Sequence, residues 1–144
     1  MKISGICLAI LICAALLISG VSAKNATTPV KYTVTQVKNQ TLPISIHPMV
    51  TGSISQGQTV FYSANIASGT SSLTTDLDWG LPSDSLSLTI ISPDGTLGPY
   101  YDESNGDIDL MITNPGGSLT PGTWEFEIYG AQVTGSIGYS FSLY

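Results

Sequence analysis

Apolar and polar residues alternate along most of the chain from Gln58 onward, and no stretch there sustains a 3.6-residue apolar period. From Gln58 to Ile66, residues Val60, Tyr62, Ala64 and Ile66 fall on one face. Leu73, Thr75, Leu77 and Trp79 share a face in the next run, with Thr74, Asp76 and Asp78 opposite. Leu86, Leu88 and Ile90 follow, set against Ser85, Ser87 and Thr89. Farther on, Ile108, Leu110 and Ile112 alternate with Asp107 and Asp109. Trp124, Phe126 and Ile128 alternate with Glu125 and Glu127, and Tyr139, Phe141 and Leu143 close the chain. Successive side chains of a strand point to opposite faces, so each run predicts a half-buried strand. Gly- and Pro-rich turns separate them, clearest at Ser92-Pro93-Asp94-Gly95, where Pro presets φ and Gly accepts φ > 0. Thr96 to Gly106 reads as a long loop ending in an Asn-Gly turn signal. The pattern predicts an all-β fold, an antiparallel β-sandwich that is jelly-roll-like. Its core is expected to hold Leu77, Trp79, Leu88, Ile90, Ile108, Ile112, Trp124, Phe126 and Phe141.

The N-terminal third follows other rules. Lys2, the apolar run Ile6 to Ile18 and the small residues Val21-Ser22-Ala23 predict a secretory signal peptide over residues 1–23. An uncleaved membrane anchor is the alternative, because Ile3 to Ala23 is nearly long enough to span. Both cysteines, Cys7 and Cys13, lie in this segment, so the rest of the chain has no thiol chemistry and no disulfide. Residues 24–50 are Thr-rich, carry three lysines and contain no acid. Their first ten or so residues read as a flexible lead. Tyr32 to Val37 then alternates as an edge strand, and Pro43 and Pro48 mark bends. Asn25-Ala26-Thr27 and Asn39-Gln40-Thr41 are sequons, which makes Asn25 and Asn39 candidate glycosylation sites. Residues 51–144 then form one sandwich domain.

Charge narrows the partners. The chain has no Arg, and its lysines are Lys2, Lys24, Lys31 and Lys38. All ten acids lie between Asp76 and Glu127. Nucleic-acid binding runs on Lys and Arg neutralising phosphates, so this anionic domain is not built for it. Nor is it built for an anionic membrane surface once the signal is removed. It suits cations, basic partners or uncharged ligands.

The catalytic inventory is small. His47 is the one histidine, it precedes Pro48, and no Gly-x-Ser-x-Gly motif accompanies it. Glu125 and Glu127 lie on one face of one strand, about 7 Å apart. Glycosidase carboxylates face each other across a cleft, so this pair reads as a solvated strand face. Asp102, Glu103, Asn105, Asp107 and Asp109 crowd around the Asn-Gly turn and are candidate calcium ligands, since calcium takes six to eight oxygens on flexible backbone. The spacing is not that of an EF-hand, and the alternative is a solvated turn. Tyr100 and Tyr101 head the same loop as candidate binding residues for sugar rings or a protein partner. The alternative is that one of them tucks over the sandwich end as core.

The run from Leu77 to Gly95 resembles the bacterial and archaeal pre-peptidase C-terminal (PPC) domain family, which is related to collagen-binding domains. The resemblance rests on Trp79 at a strand end, the Pro82-Ser83-Asp84 loop and the Pro93-Asp94-Gly95 turn. Pro121-Gly122-Thr123-Trp124 and Gly138-Tyr139-Ser140-Phe141 resemble its later strands, so the likeness spans Gly52 to Tyr144. Where that family often has a second Asp in the middle strand, this chain has Ser87. In calcium-dependent collagen-binding relatives an acidic N-terminal linker supplies part of the metal site, and residues 24–50 here hold no acid. The resemblance implies a secreted β-sandwich that assists a protease or binds extracellular matrix.

Together these readings predict a secreted or cell-surface, non-catalytic binding or accessory domain for an extracellular polysaccharide or protein. No cofactor is required, and calcium is a candidate ligand. The alternative is a structural or cell-envelope assembly protein; a hydrolase is the weak third reading.

Overall fold

The computed structural model describes residues 31–37, 49–103 and 105–144. The signal segment, both sequon asparagines and His47 lie outside the described residues. Nine strands form: β1 (Thr33–Gln36), β2 (Val50–Ser55), β3 (Thr59–Ile66), β4 (Ser72–Asp78), β5 (Ser85–Ser92), β6 (Gly95–Tyr101), β7 (Asp107–Thr113), β8 (Gly122–Gln132) and β9 (Ser136–Leu143). They build two antiparallel sheets, in the orders β1-β7-β4-β9-β2 and β3-β8-β5-β6.

The expected jelly-roll-like sandwich is what the chain adopts. Strands pair as nested couples: β5 with β6, β4 with β7, β3 with β8 and β2 with β9. This is the wrapped double Greek key of a jelly roll. β1 adds to it from the N-terminal segment, as an edge strand on β7.

All nine expected core residues are buried. Phe126 and Phe141 meet across the sheets with ring centroids 5.5 Å apart, and Tyr62 stacks on Phe141 at 5.5 Å. Both tryptophans belong to this core, and each finds a partner for its N–H as buried indoles require. Trp79 Nε1 donates to the carbonyls of Leu81 and Asp84, at 3.1 and 3.0 Å. Trp124 Nε1 donates to the Thr120 carbonyl at 3.0 Å.

One expectation fails. Thr96 to Gly106 is not one long loop, because Gly95–Tyr101 is β6, hairpinned onto β5. The pairing shifts register between Leu88 and Ile90, opposite Gly98 and Pro99. That irregularity puts the inward side chains, Leu97 and Tyr100, three residues apart, which hides the period of two.

The start of β1 is held across the sandwich. Tyr32 Oη and Thr120 Oγ1 both donate to Asp94 Oδ2, and Lys31 Nζ lies 3.3 Å from the same oxygen. The Tyr32 ring also packs on Trp124, with centroids 5.2 Å apart. Asp94, in the β5–β6 turn, thus ties the N-terminal segment to the loop before β8.

Candidate functional site: the outer face of the four-stranded sheet

Strand alternation that buries Leu86, Leu88 and Ile90 turns Ser87, Thr89 and Ile91 outward on β5. The registers then fix rows across the outer face. Thr59, Tyr129, Ser87 and Tyr101 form one row, on β3, β8, β5 and β6. Phe61, Glu127 and Thr89 form the next, and Ser63, Glu125 and Ile91 the one after.

This face carries large apolar side chains that the core does not use. Phe61 is 58% exposed, Tyr101 52% and Tyr129 37%. Ser87 is only 3% exposed although it faces outward. Its two cross-strand neighbours on that face are Tyr101 and Tyr129. Two strand spacings separate the tyrosines, roughly 10 Å. The result is a shallow aromatic platform with Phe61 on the far strand and Glu125 and Glu127 along its middle. Among the described residues the one lysine, Lys31, is engaged by Asp94. The platform is therefore apolar and anionic.

The structure separates the two tyrosines that the sequence groups. Tyr101 joins the platform. Tyr100 turns inward against the core opposite Leu88, and burial raises its hydroxyl pKa. Phe61 and Tyr129 escaped sequence reasoning, yet a signal was present. Each is an aromatic on the polar face of its own alternating run, beside Ser63 and Glu127 respectively.

The acidic residues around the Asn-Gly turn sit elsewhere, where the end of β6 meets β4 and β7. Asp102 organises the turn: its Oδ1 accepts from Ser85 Oγ at 3.1 Å and its Oδ2 from the Gly106 amide at 3.4 Å. Asn105 Nδ2 donates to Asp107 Oδ1. Glu103, Asn105, Asp107 and Asp109 line a cavity of about 170 Å3 with Gln36 and Val37, and Asp102 is not part of its lining. Among the described residues, no group of three or more His, Cys, Asp or Glu is arranged to hold a metal ion.

On the outer face of the five-stranded sheet Asp109 stands opposite Asp76, and Asp107 opposite Asp78. Burial, then the neighbouring Asp76 and Asp107 charges, push Asp109 up to about 7, and Asp76 is raised for the same reasons, burial first and then Asp78. A proton on Asp109 relieves part of the repulsion that would otherwise call for a cation.

Glu125 and Glu127 point outward from one strand, as expected of a solvated face, and do not oppose each other across a cleft. No protein-family model and no curated protein matches this sequence.

Proposed function

We propose that the protein is a secreted, non-catalytic binding domain that holds an extracellular polysaccharide on the outer face of the β3-β8-β5-β6 sheet. The observation that carries this reading is the row Tyr101–Ser87–Tyr129, two exposed tyrosines on either side of a buried serine, with Phe61 two strands beyond Ser87. Exposed aromatic rings offer an apolar surface on which the apolar face of a sugar ring stacks. Glu125 and Glu127 supply acceptors for sugar hydroxyls. Their charge favours an uncharged or amino-substituted chain over a sulfated or uronic one. The resemblance to PPC domains points the same way, toward an accessory role beside a separate enzyme.

The test is retention of the purified protein in native gels cast with neutral, amino and acidic polysaccharides. Slowed migration in a neutral or amino polymer, lost in Tyr101→Ala and Tyr129→Ala, supports the proposal. Equal migration in every gel overturns it.

A further inference from the structure

We propose that β3 is a self-association edge, through which two copies of the chain join their four-stranded sheets into one of eight strands. The four edge strands differ sharply. β1 has four residues; β2 has six, with Gly52 inside; β6 carries Gly98, Pro99 and a register shift. β3 has eight residues, Thr59-Val60-Phe61-Tyr62-Ser63-Ala64-Asn65-Ile66, with no Gly, no Pro and no charge. Its pairing with β8 is regular from end to end. Natural sheets blunt their edges with charge, proline, bulges or shortness, and β3 has none of these. Among the described residues no strand pairs with its other side.

The register fixes which backbone groups are unpaired. The Gly130 amide donates to the Gln58 carbonyl at 3.0 Å. Strand groups alternate from there, so Val60, Tyr62 and Ala64 bond to β8. Thr59, Phe61, Ser63 and Asn65 direct their N–H and C=O groups to the open edge. A second copy antiparallel about a two-fold axis at Tyr62 sets Phe61 against Ser63 and Thr59 against Asn65. That register satisfies all eight groups and keeps the inner faces of both sheets on one side. It is self-complementary, as a two-fold interface must be.

The exposed face fits the same arrangement. The two Phe61 rings become diagonal neighbours across the axis, within reach of each other for aromatic side chains, which covers the most exposed aromatic of the sheet. The two β8 strands, with Glu125 and Glu127, lie three strand spacings apart, roughly 14 Å. That exceeds the screening length of about 8 Å in physiological salt, so the acids do not oppose association. The two readings share Phe61, but this one rests on the backbone edge of β3 and the sugar reading on the Tyr101–Tyr129 row, so sedimentation and gel retention test them separately.

The experiment is sedimentation equilibrium of the purified protein over a wide concentration range, with amide hydrogen exchange at both ends of the range. The wild type should pass from one chain mass to two and stop there. The amides of Thr59, Phe61, Ser63 and Asn65 should gain protection with concentration, while Val60, Tyr62 and Ala64 stay protected throughout. Ser63→Pro removes only an open-edge N–H, the placement that an edge strand tolerates, and should remain at one chain mass. Phe61→Lys leaves the backbone untouched, and should do the same if Ser63→Pro fails to fold. A wild type of constant single mass overturns the proposal, as does a dimer that persists in both variants. Growth past two chains does so as well, because the two-fold pairing closes.

Discussion

Asp76 on β4 and Asp109 on β7 stand directly opposite each other, and Asp109 Oδ1 is buried with no hydrogen-bond partner. Like charges so placed destabilise a sheet, and here both carboxyl pKa values are raised. The folded state therefore binds more protons than the unfolded state between about pH 4 and pH 7, and stability falls as pH rises through that window. Melting temperature should be highest near the lower end of the window and decline toward pH 8. Asp109→Asn should flatten the slope and gain on the order of 1 kcal/mol at pH 8, after allowance for solvent screening. A slope unchanged in Asp109→Asn would place the titration in another group.

Calcium should compete with that proton. The cavity lined by Glu103, Asn105, Asp107 and Asp109 gathers four of the five residues expected to hold the ion. If calcium enters it, millimolar calcium should raise the melting temperature more at pH 8 than at pH 5.5, and more than equal magnesium, which demands a tighter octahedron. Asp107→Asn should erase the difference. Equal shifts for both ions would mean screening of an anionic surface and no calcium site.

On the aromatic platform, Tyr101→Ala and Tyr129→Ala should each weaken polysaccharide binding about tenfold, which is about 1.4 kcal/mol. Neither should move stability by more than about 0.5 kcal/mol, as surface positions. Tyr100→Ala should do the reverse and lower the melting temperature, because its ring packs on the core. Affinity gels and thermal melts on the three variants separate the two faces of β6.

Tyr32→Phe should keep the ring on Trp124 and lose the hydroxyl that Asp94 accepts. The cost should be about 1 kcal/mol, because Asp94 is exposed and solvent screens the bond. The Asp94 pKa is lowered, by the Thr120 hydroxyl first and then by Tyr32 and Lys31. Its contribution is thus full above the ordinary carboxylate pKa and lost as pH falls through the lowered one. Denaturant titrations should show the Tyr32→Phe deficit at pH 6 shrinking in strong acid. Cutting the chain just before Lys31 should leave stability intact, whereas cutting after Val37 should not.

Thr75 lies on the inner face of β4 and is fully buried, its Oγ1 without a partner. An unpaired buried hydroxyl costs about 1–3 kcal/mol. Thr75→Val keeps the shape and should stabilise the protein, read as a higher denaturant midpoint at unchanged slope. A destabilised Thr75→Val would mean the hydroxyl is satisfied in solution.

Most of the sandwich was legible because its strands keep strict alternation, so Leu77, Ile112 and Phe126 announced their faces. Where alternation fails, legibility fails with it. β6 vanished into an expected loop because its bulge sets Leu97 and Tyr100 three residues apart. β2 left little trace because Gly52 occupies an inward position. A Cβ there would lie 2.7 Å from the Tyr139 hydroxyl, so the space belongs to a ring from β9. No local pattern reports that. The platform was half legible: Tyr101 was singled out, but its partners come from β3 and β8, and only the register brings them beside it.

The nested pairing also orders how the chain can assemble. Pro93-Asp94 closes β5 on β6, the one couple joined by a tight turn. With that hairpin formed, the ends of β4 and β7 are already near, and each further couple closes only the short segments just outside the one within it. Loop-closure entropy rises slowly with length, and here it is met in small steps from the hairpin outward. By the same plan β2 belongs to the outermost couple, where Val50 faces Phe141. A chain in which that couple has not closed would leave β9 an open edge beside β4.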